Sequence, residues 1–159
     1  MILDVCARYE KISGRKYGLF EEYRMEDAEY AIVIIGSASG NTKNAVDILR
    51  EQGVKAGMIK VRVFRPFPGE ELAEALKGLS AVAILDRAES FSGCGGPLGS
   101  ELKAAMMDAG LTIPAINYFY GLAGRDFTDQ SALDVYADLQ GLVKDGKSVE
   151  QFQYIGLRK

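Results

Sequence analysis

Tyr30-Ala31-Ile32-Val33-Ile34-Ile35-Gly36-Ser37-Ala38-Ser39-Gly40-Asn41-Thr42 is the stretch on which the fold turns. Its first six residues carry no charge and are mostly β-branched, which suits a strand buried on both faces and ended by Gly36. A helix is then expected from Asn41 or Thr42 to about Gln52, with Ala45, Ile48 and Leu49 on one face and Gly53 as its stop signal. The same alternation continues downstream. Residues 56 to 63 place Ile59, Val61 and Val63 on one side and Lys60 and Arg62 on the other, so this strand is expected toward a sheet edge, one face meeting solvent or a partner. After the turn Arg65-Pro66-Phe67-Pro68, the pattern predicts a helix over Glu70 to Leu76 and a third, wholly apolar strand over Ala81 to Leu85.

A glycine-rich loop, Ser92 to Gly96, leads into a helical stripe of Leu98, Leu102, Ala105, Met106 and Ala109, closed by Gly110. Ile113 to Tyr120 reads as a fourth strand with Pro114 at its start. A last helix from Asp129 to about Val143 is expected to turn Leu133, Tyr136, Leu139 and Val143 inward, with Thr128 or Asp129 as N-cap. The tail from Gln151 to Leu157 alternates and predicts a short edge strand. Strand-then-helix units in series imply an α/β fold, a three-layer αβα sandwich on a mostly parallel sheet of four to five strands. Ahead of it, residues 1 to 13 are expected to form a short helix, and the charged stretch Glu21 to Glu29 reads as an arm or linker. The expected organisation is an arm over 1–28 and one α/β domain over 29–159.

The bulk numbers narrow the function. A chain of 159 residues has the length of one domain. With a net charge of -3 and a pI near 5.1, it lacks the basic field that holds nucleic acid. Its apolar runs are too short to span a bilayer and Met1 opens no leader, so a cytoplasmic protein is expected. Cys6 and Cys94 fit neither a disulfide framework nor a metal-ligand spacing, and read as thiols without a catalytic role. The absence of histidine removes Ser-His and Cys-His pairs and most zinc sites, so no catalytic residue and no metal site is assigned.

In an open parallel sheet, ligands gather where loops leave the carboxyl ends of the strands. Those loops are Gly36 to Asn41, Arg65 to Pro68, Asp86 to Gly96 and Gly121 to Asp126. Arg65, Arg87 and Arg125 fall in three different ones, beside Asp86 and Asp126. Such a set could hold an anion or lock a partner domain, and with Asp126 the expected role is an interface. Ser37, Ser39, Gly40, Asn41 and Thr42 are weaker candidates for holding a cofactor phosphate, because small and hydroxylated residues at a helix N-terminus suit an anion. This loop resembles the phosphate loop of flavodoxins. The alternative reading is therefore a stand-alone flavin- or nucleotide-binding module, although Phe91 is the one aromatic the loop after the third strand offers to cover a flavin.

Four ordered motifs carry a more specific resemblance. Lys16-Tyr17-Gly18-Leu19-Phe20-Glu21-Glu22-Tyr23-Arg24 with Asp27-Ala28-Glu29, then Val61-Arg62-Val63-Phe64-Arg65-Pro66-Phe67-Pro68, Asp86-Arg87-Ala88, and Tyr120-Gly121-Leu122-Ala123-Gly124-Arg125-Asp126 follow one another along the chain. Together they resemble core domain II of the alpha subunit of pyruvate:ferredoxin oxidoreductases, where glycine usually stands in place of Ala123. The resemblance implies a fold like the transketolase C-terminal domain. It also implies a 2-oxoacid oxidoreductase whose full complex uses thiamine diphosphate, Mg2+, iron-sulfur clusters and coenzyme A, makes acyl-CoA and CO2, and reduces ferredoxin. In that picture this chain binds none of those cofactors itself and is inactive in isolation. Its partners are an upstream thiamine-diphosphate-binding domain and the other subunits. Either the chain is a piece of a longer subunit or its N-terminal part is encoded elsewhere, and the start at Met1, inside what resembles an inter-domain helix, favours the first. Two cysteines cannot supply four thiolates to a cluster.

Overall fold

The computed structural model describes residues 1–91, 93–146, 150 and 152–157. Ser92 of the glycine-rich loop and Gln151 of the tail lie outside the described residues. The elements run α1 (Ile2–Ser13), β1 (Phe20–Tyr23), β2 (Tyr30–Ile35), α2 (Ser39–Glu51), β3 (Ala56–Val61), α3 (Gly69–Ala75), β4 (Ala81–Asp86), α4 (Pro97–Asp108), β5 (Ala115–Phe119), α5 (Asp129–Asp145) and β6 (Phe152–Tyr154). The strands form one sheet in the order β1-β3-β2-β4-β5-β6. All neighbours are parallel except β1 and β3, which pair antiparallel.

β2 lies at the centre because nothing in it needs water. Its register sets Ile32 beside Met58 of β3 and Ala83 of β4, so both edges of the strand are hydrogen-bonded. Its alternate residues then serve two cores. Tyr30, Ile32 and Ile34 face the layer of α2 and α5, packing with Val46, Val135, Tyr136 and Leu139. Ala31 and Val33 face the layer of α3 and α4, packing with Leu72, Leu76, Leu98 and Leu102. Each fully buried Leu or Ile contributes on the order of 1.5–3 kcal/mol of transfer free energy. The helix between β5 and β6 starts where sequence chemistry places it: the Thr128 hydroxyl accepts from Ser131 N–H (3.2 Å), and the Ser131 hydroxyl accepts from Thr128 N–H (3.3 Å). The short tail strand β6 pairs parallel with β5 at the far edge.

The sheet has six strands where four to five were expected, and the extra one comes from the segment read as an arm. Phe20–Tyr23 pairs with Val61 to Met58 and covers the edge that β3 was expected to occupy, so β3 is second from the edge. The charges that made this stretch look solvated are paired instead. Glu21 meets both Lys43 and Arg62, Asp27 meets Arg50, and Arg50 also donates to the Arg24 carbonyl (2.6 Å). Gly57 lets the following loop cross close to β3, since a Cβ there would stand 2.8 Å from the Arg24 carbonyl oxygen and 2.7 Å from Met25 Sδ. α1, by contrast, buries none of its residues.

Two helix faces are turned slightly from expectation. On α2, Val46 is buried and Ile48 is exposed; on α5, Ala132 and Val135 are buried while Val143 is exposed. In both, the inward stripe follows contact between α2 and α5 themselves, which the single-helix pattern does not encode.

Candidate functional site: the carboxyl rim of the sheet

The chain leaves β2 toward β3 on one side, while β4 lies on the other side of β2. A crevice therefore opens between the carboxyl ends of β2 and β4, the place where a doubly wound sheet accommodates ligands. Here it is a cavity of about 570 Å³, walled by residues that include Ile35, Ser37, Phe64, Leu85, Tyr120 and Phe127.

Asp86, the last residue of β4, organises one side. It is buried, and its two carboxylate oxygens accept from Leu98 N–H and Gly99 N–H, both at 2.9 Å. These are orphan donors of the first turn of α4, so the charge meets the positive end of the helix. Asn117, buried within β5, donates to Asp86 Oδ2 (3.0 Å) and to the Ile84 carbonyl (2.8 Å), and accepts from Gly96 N–H (2.7 Å). Glycine is required around this pair. A Cβ at Gly96 would fall 2.1 Å from Asp86 Cγ, and one at Gly99 would fall 2.5 Å from Asn117 Oδ1. The glycines after β4 thus make room for a carboxylate–amide pair inside the protein.

The loop after β2 is also occupied with internal work. Ser39 donates to the Gly36 carbonyl (2.8 Å), Thr42 donates to the Ala38 carbonyl (3.1 Å), and both residues are buried. Asn41 reaches across to donate to the Phe127 carbonyl (2.7 Å), tying the first exit loop to the fourth. Of the five residues considered for a cofactor phosphate, Ser37 and Asn41 line the cavity, whereas Ser39, Gly40 and Thr42 do not. Phe91 is fully exposed and stands apart from the cavity lining.

The rim arginines divide. Arg87, Arg125 and Asp126 line the cavity. Arg65 does not: its guanidinium stacks on Phe64, 4.1 Å from the ring centroid, and forms a bidentate pair with Glu101 of α4. Tyr120 forms the cavity's aromatic wall with Phe127, their ring centroids 5.0 Å apart, and donates its hydroxyl to the Ile35 carbonyl (3.3 Å). Burial pushes the Tyr120 phenol above its ordinary range, against the pull of Arg87, so it stays a neutral donor.

Such a rim can hold an anion; the chain has no histidine, and Asp86 is engaged by three N–H donors. No group of three or more His, Cys, Asp or Glu placed to hold a metal occurs among the described residues. Cys6 and Cys94 form no disulfide and cannot between them hold an iron-sulfur cluster. Among the described residues no helix is long and apolar enough to cross a membrane.

Asp86 was legible as a rim residue, but its role as the anchor of α4 was not. The available signals were a carboxylate closing an apolar strand just ahead of glycines, and a lone Asn117 inside an apolar run.

Residues 28–132 match the family model described as pyruvate:ferredoxin oxidoreductase core domain II. The chain belongs to that family. It is 38% identical to pyruvate synthase subunit PorA of Thermotoga maritima, over 98% of this chain and 39% of the relative. It is 39% identical to ketoisovalerate oxidoreductase subunit VorA of Pyrococcus horikoshii, over 100% of this chain and 40% of the relative. NADH-dependent phenylglyoxylate dehydrogenase subunit alpha of Aromatoleum evansii is 43% identical over 80% of this chain and 31% of its own length. The chain thus spans about 40% of the length of the first two relatives.

Two solved structures share the fold of this core domain II. One is a split-gene transketolase, an inactive beta4 tetramer (TM-score 0.64, 16% identity, 82% of this chain and 44% of that one). The other is the 2-oxoglutarate:ferredoxin oxidoreductase of Magnetococcus marinus with 2-oxoglutarate, coenzyme A and succinyl-CoA bound (TM-score 0.57, 18% identity, 83% and 21%). The fold is an α/β sandwich, shared with both structures, and the family is that of pyruvate:ferredoxin oxidoreductase core domain II.

Proposed function

We propose that this core domain II organises the assembly of a cytoplasmic, thiamine-diphosphate-dependent 2-oxoacid:ferredoxin oxidoreductase, with pyruvate as the 2-oxoacid. The complete enzyme makes acyl-CoA and CO2 and reduces ferredoxin, with thiamine diphosphate, Mg2+, iron-sulfur clusters and coenzyme A held by other domains and subunits. The observation that carries this reading is the division of labour at the rim. Its buried carboxylate, Asp86, is spent on capping α4, while its exposed or half-exposed charges, Arg65, Arg87, Arg125 and Asp126, stand on three exit loops, the last of which is tied to the first by Asn41 and Tyr120. A rim built this way is braced and charged, and its one buried carboxylate is already engaged, which suits a docking surface to a neighbouring domain. The domain proper begins on this reading with β1, and α1 leads into it.

The test is Arg125→Ala in the complete enzyme. Subunit association, followed by analytical ultracentrifugation, should weaken and turnover should fall with it. The 159-residue chain carrying the same substitution should melt like its parent. Unchanged assembly and turnover would overturn the proposal.

A further inference from the structure

Arg24, Arg50, Arg62 and Arg65 are each paired with a carboxylate of this chain. Arg87 and Arg125 differ: among the described residues neither guanidinium has a hydrogen-bond or ion-pair partner, yet both line the same cavity between β2 and β4. Both stems are held in place by glycine. Arg87 lies across Gly121, its Nε 3.1 Å from where a Cβ would stand, and Gly121 has a φ of +70° that favours glycine. The Arg125 Cδ lies 3.6 Å from the corresponding point on Gly156. Two guanidiniums fixed over backbone, with no carboxylate of the described chain upon them, are a fork-shaped receptor for a polyoxygen anion.

The rest of the wall says what else the anion carries. Ile35 and Leu85 form an apolar floor, and the rings of Phe64 and Phe127 line the same space. A bare inorganic anion would leave most of about 570 Å³ unfilled, whereas a ligand with a planar ring fills it against aromatic faces. We propose that the β2/β4 cavity is a binding site for a mononucleotide-sized phosphate ester, its phosphoryl oxygens on Arg87 and Arg125 and its ring against Phe64 and Phe127. The two positive charges match a phosphate monoester; Asp126, which also lines the cavity, opposes it, as does the Asp86 carboxylate, whose charge is met by Leu98 N–H, Gly99 N–H and Asn117. This goes beyond the assembly reading, which requires no small ligand.

Isothermal titration of the 159-residue chain with adenosine monophosphate, inorganic phosphate and adenosine tests it. The expected result is saturable 1:1 binding of adenosine monophosphate, weaker binding of inorganic phosphate and none of adenosine. Arg87→Ala and Arg125→Ala should each weaken the nucleotide by roughly tenfold or more, with Arg→Lys at either position recovering part of the loss, and Asp126→Asn should tighten it. Thermal unfolding of each variant confirms that the fold is intact, as the exposure of Arg87 and half-exposure of Arg125 lead one to expect. No saturable binding of adenosine monophosphate, binding indifferent to both arginines, or equal binding of inorganic phosphate would overturn the proposal. Should the titration fail while Arg125→Ala still disrupts the complete enzyme, the ligand site is refuted and the docking rim stands.

Discussion

After β2 the chain turns through Gly36 into α2, whose first turn holds Gly40; after β4 it turns through Gly93, Gly95 and Gly96 into α4. The residue types are alike and the physics is not. In the first loop the space around both glycines is open, with nothing within 4 Å of an added Cβ, and Gly36 is needed for its φ of +88°. In the second, Gly96 has an extended backbone that any residue can adopt, with φ -79° and ψ 165°, and glycine is needed because Asp86 occupies the place of its side chain. Gly36 serves through its backbone and Gly96 through its missing Cβ, while Gly93 and Gly95 beside Gly96 also take positive φ (69° and 104°). Neither use requires a phosphate, although a glycine- and serine-rich turn at a helix N-terminus invites that reading.

The largest expected effect follows from this difference. Gly96→Ala should displace the Asp86 carboxylate and strand the donors of Leu98 and Gly99, costing about 3 kcal/mol and lowering the melting temperature by roughly 6–12 °C. Because the clash is with one side chain, Gly96→Ala combined with Asp86→Ala should cost less than the sum of the two alone. Thermal unfolding of the three variants checks this. A Gly96→Ala protein melting within about 2 °C of its parent would erase the contrast between the loops.

Gly36→Ala is the matched change in the first loop. Nothing is displaced, so the cost is that of placing a Cβ at positive φ, about 1–2 kcal/mol, or a drop of roughly 2–8 °C. Chemical denaturation of this variant beside Gly96→Ala ranks the two mechanisms directly. A reversed order would mean that the first loop, through the Ser39 and Asn41 bonds, holds the rim more firmly than the Asp86–Asn117 pair does.

The same contrast explains what could be read from the sequence. β2 and β4 were legible because burial on both faces leaves an unbroken apolar run, and α4 because Leu98, Leu102 and Met106 recur at helical spacing and are buried. β1 was not, because Glu21 and Glu22 look like solvated charge until Lys43 and Arg62, brought in from α2 and the end of β3, are placed beside Glu21. At the rim, topology alone puts Arg87 and Arg125 in exit loops. That Arg65 leans away onto Glu101, and that Ser39 and Thr42 spend their hydroxyls on the backbone, depends on distances no spacing encodes. The pairing of Asp86 with Asn117 joins residues on two strands and a third element, α4, and no local pattern announces it.

The fourth exit loop supplies the smallest and sharpest test, because it holds the inverse of Gly36. Ala123 sits at φ 54°, ψ 34°, a left-handed conformation that strains a residue with a Cβ, at a position where the pattern this chain resembles carries glycine. Its side chain is exposed, so no packing opposes a change. Ala123→Gly should relieve the strain, and the extra entropy of glycine in the unfolded chain returns part of that gain, leaving a net stabilisation of about 0.5–1 kcal/mol and a rise of roughly 1–4 °C. Calorimetry on the 159-residue chain resolves a shift of that size. A fall in melting temperature would show that the loop before Arg125 is held by something other than its backbone conformation, and the reading of Gly36 as a purely conformational glycine would weaken with it.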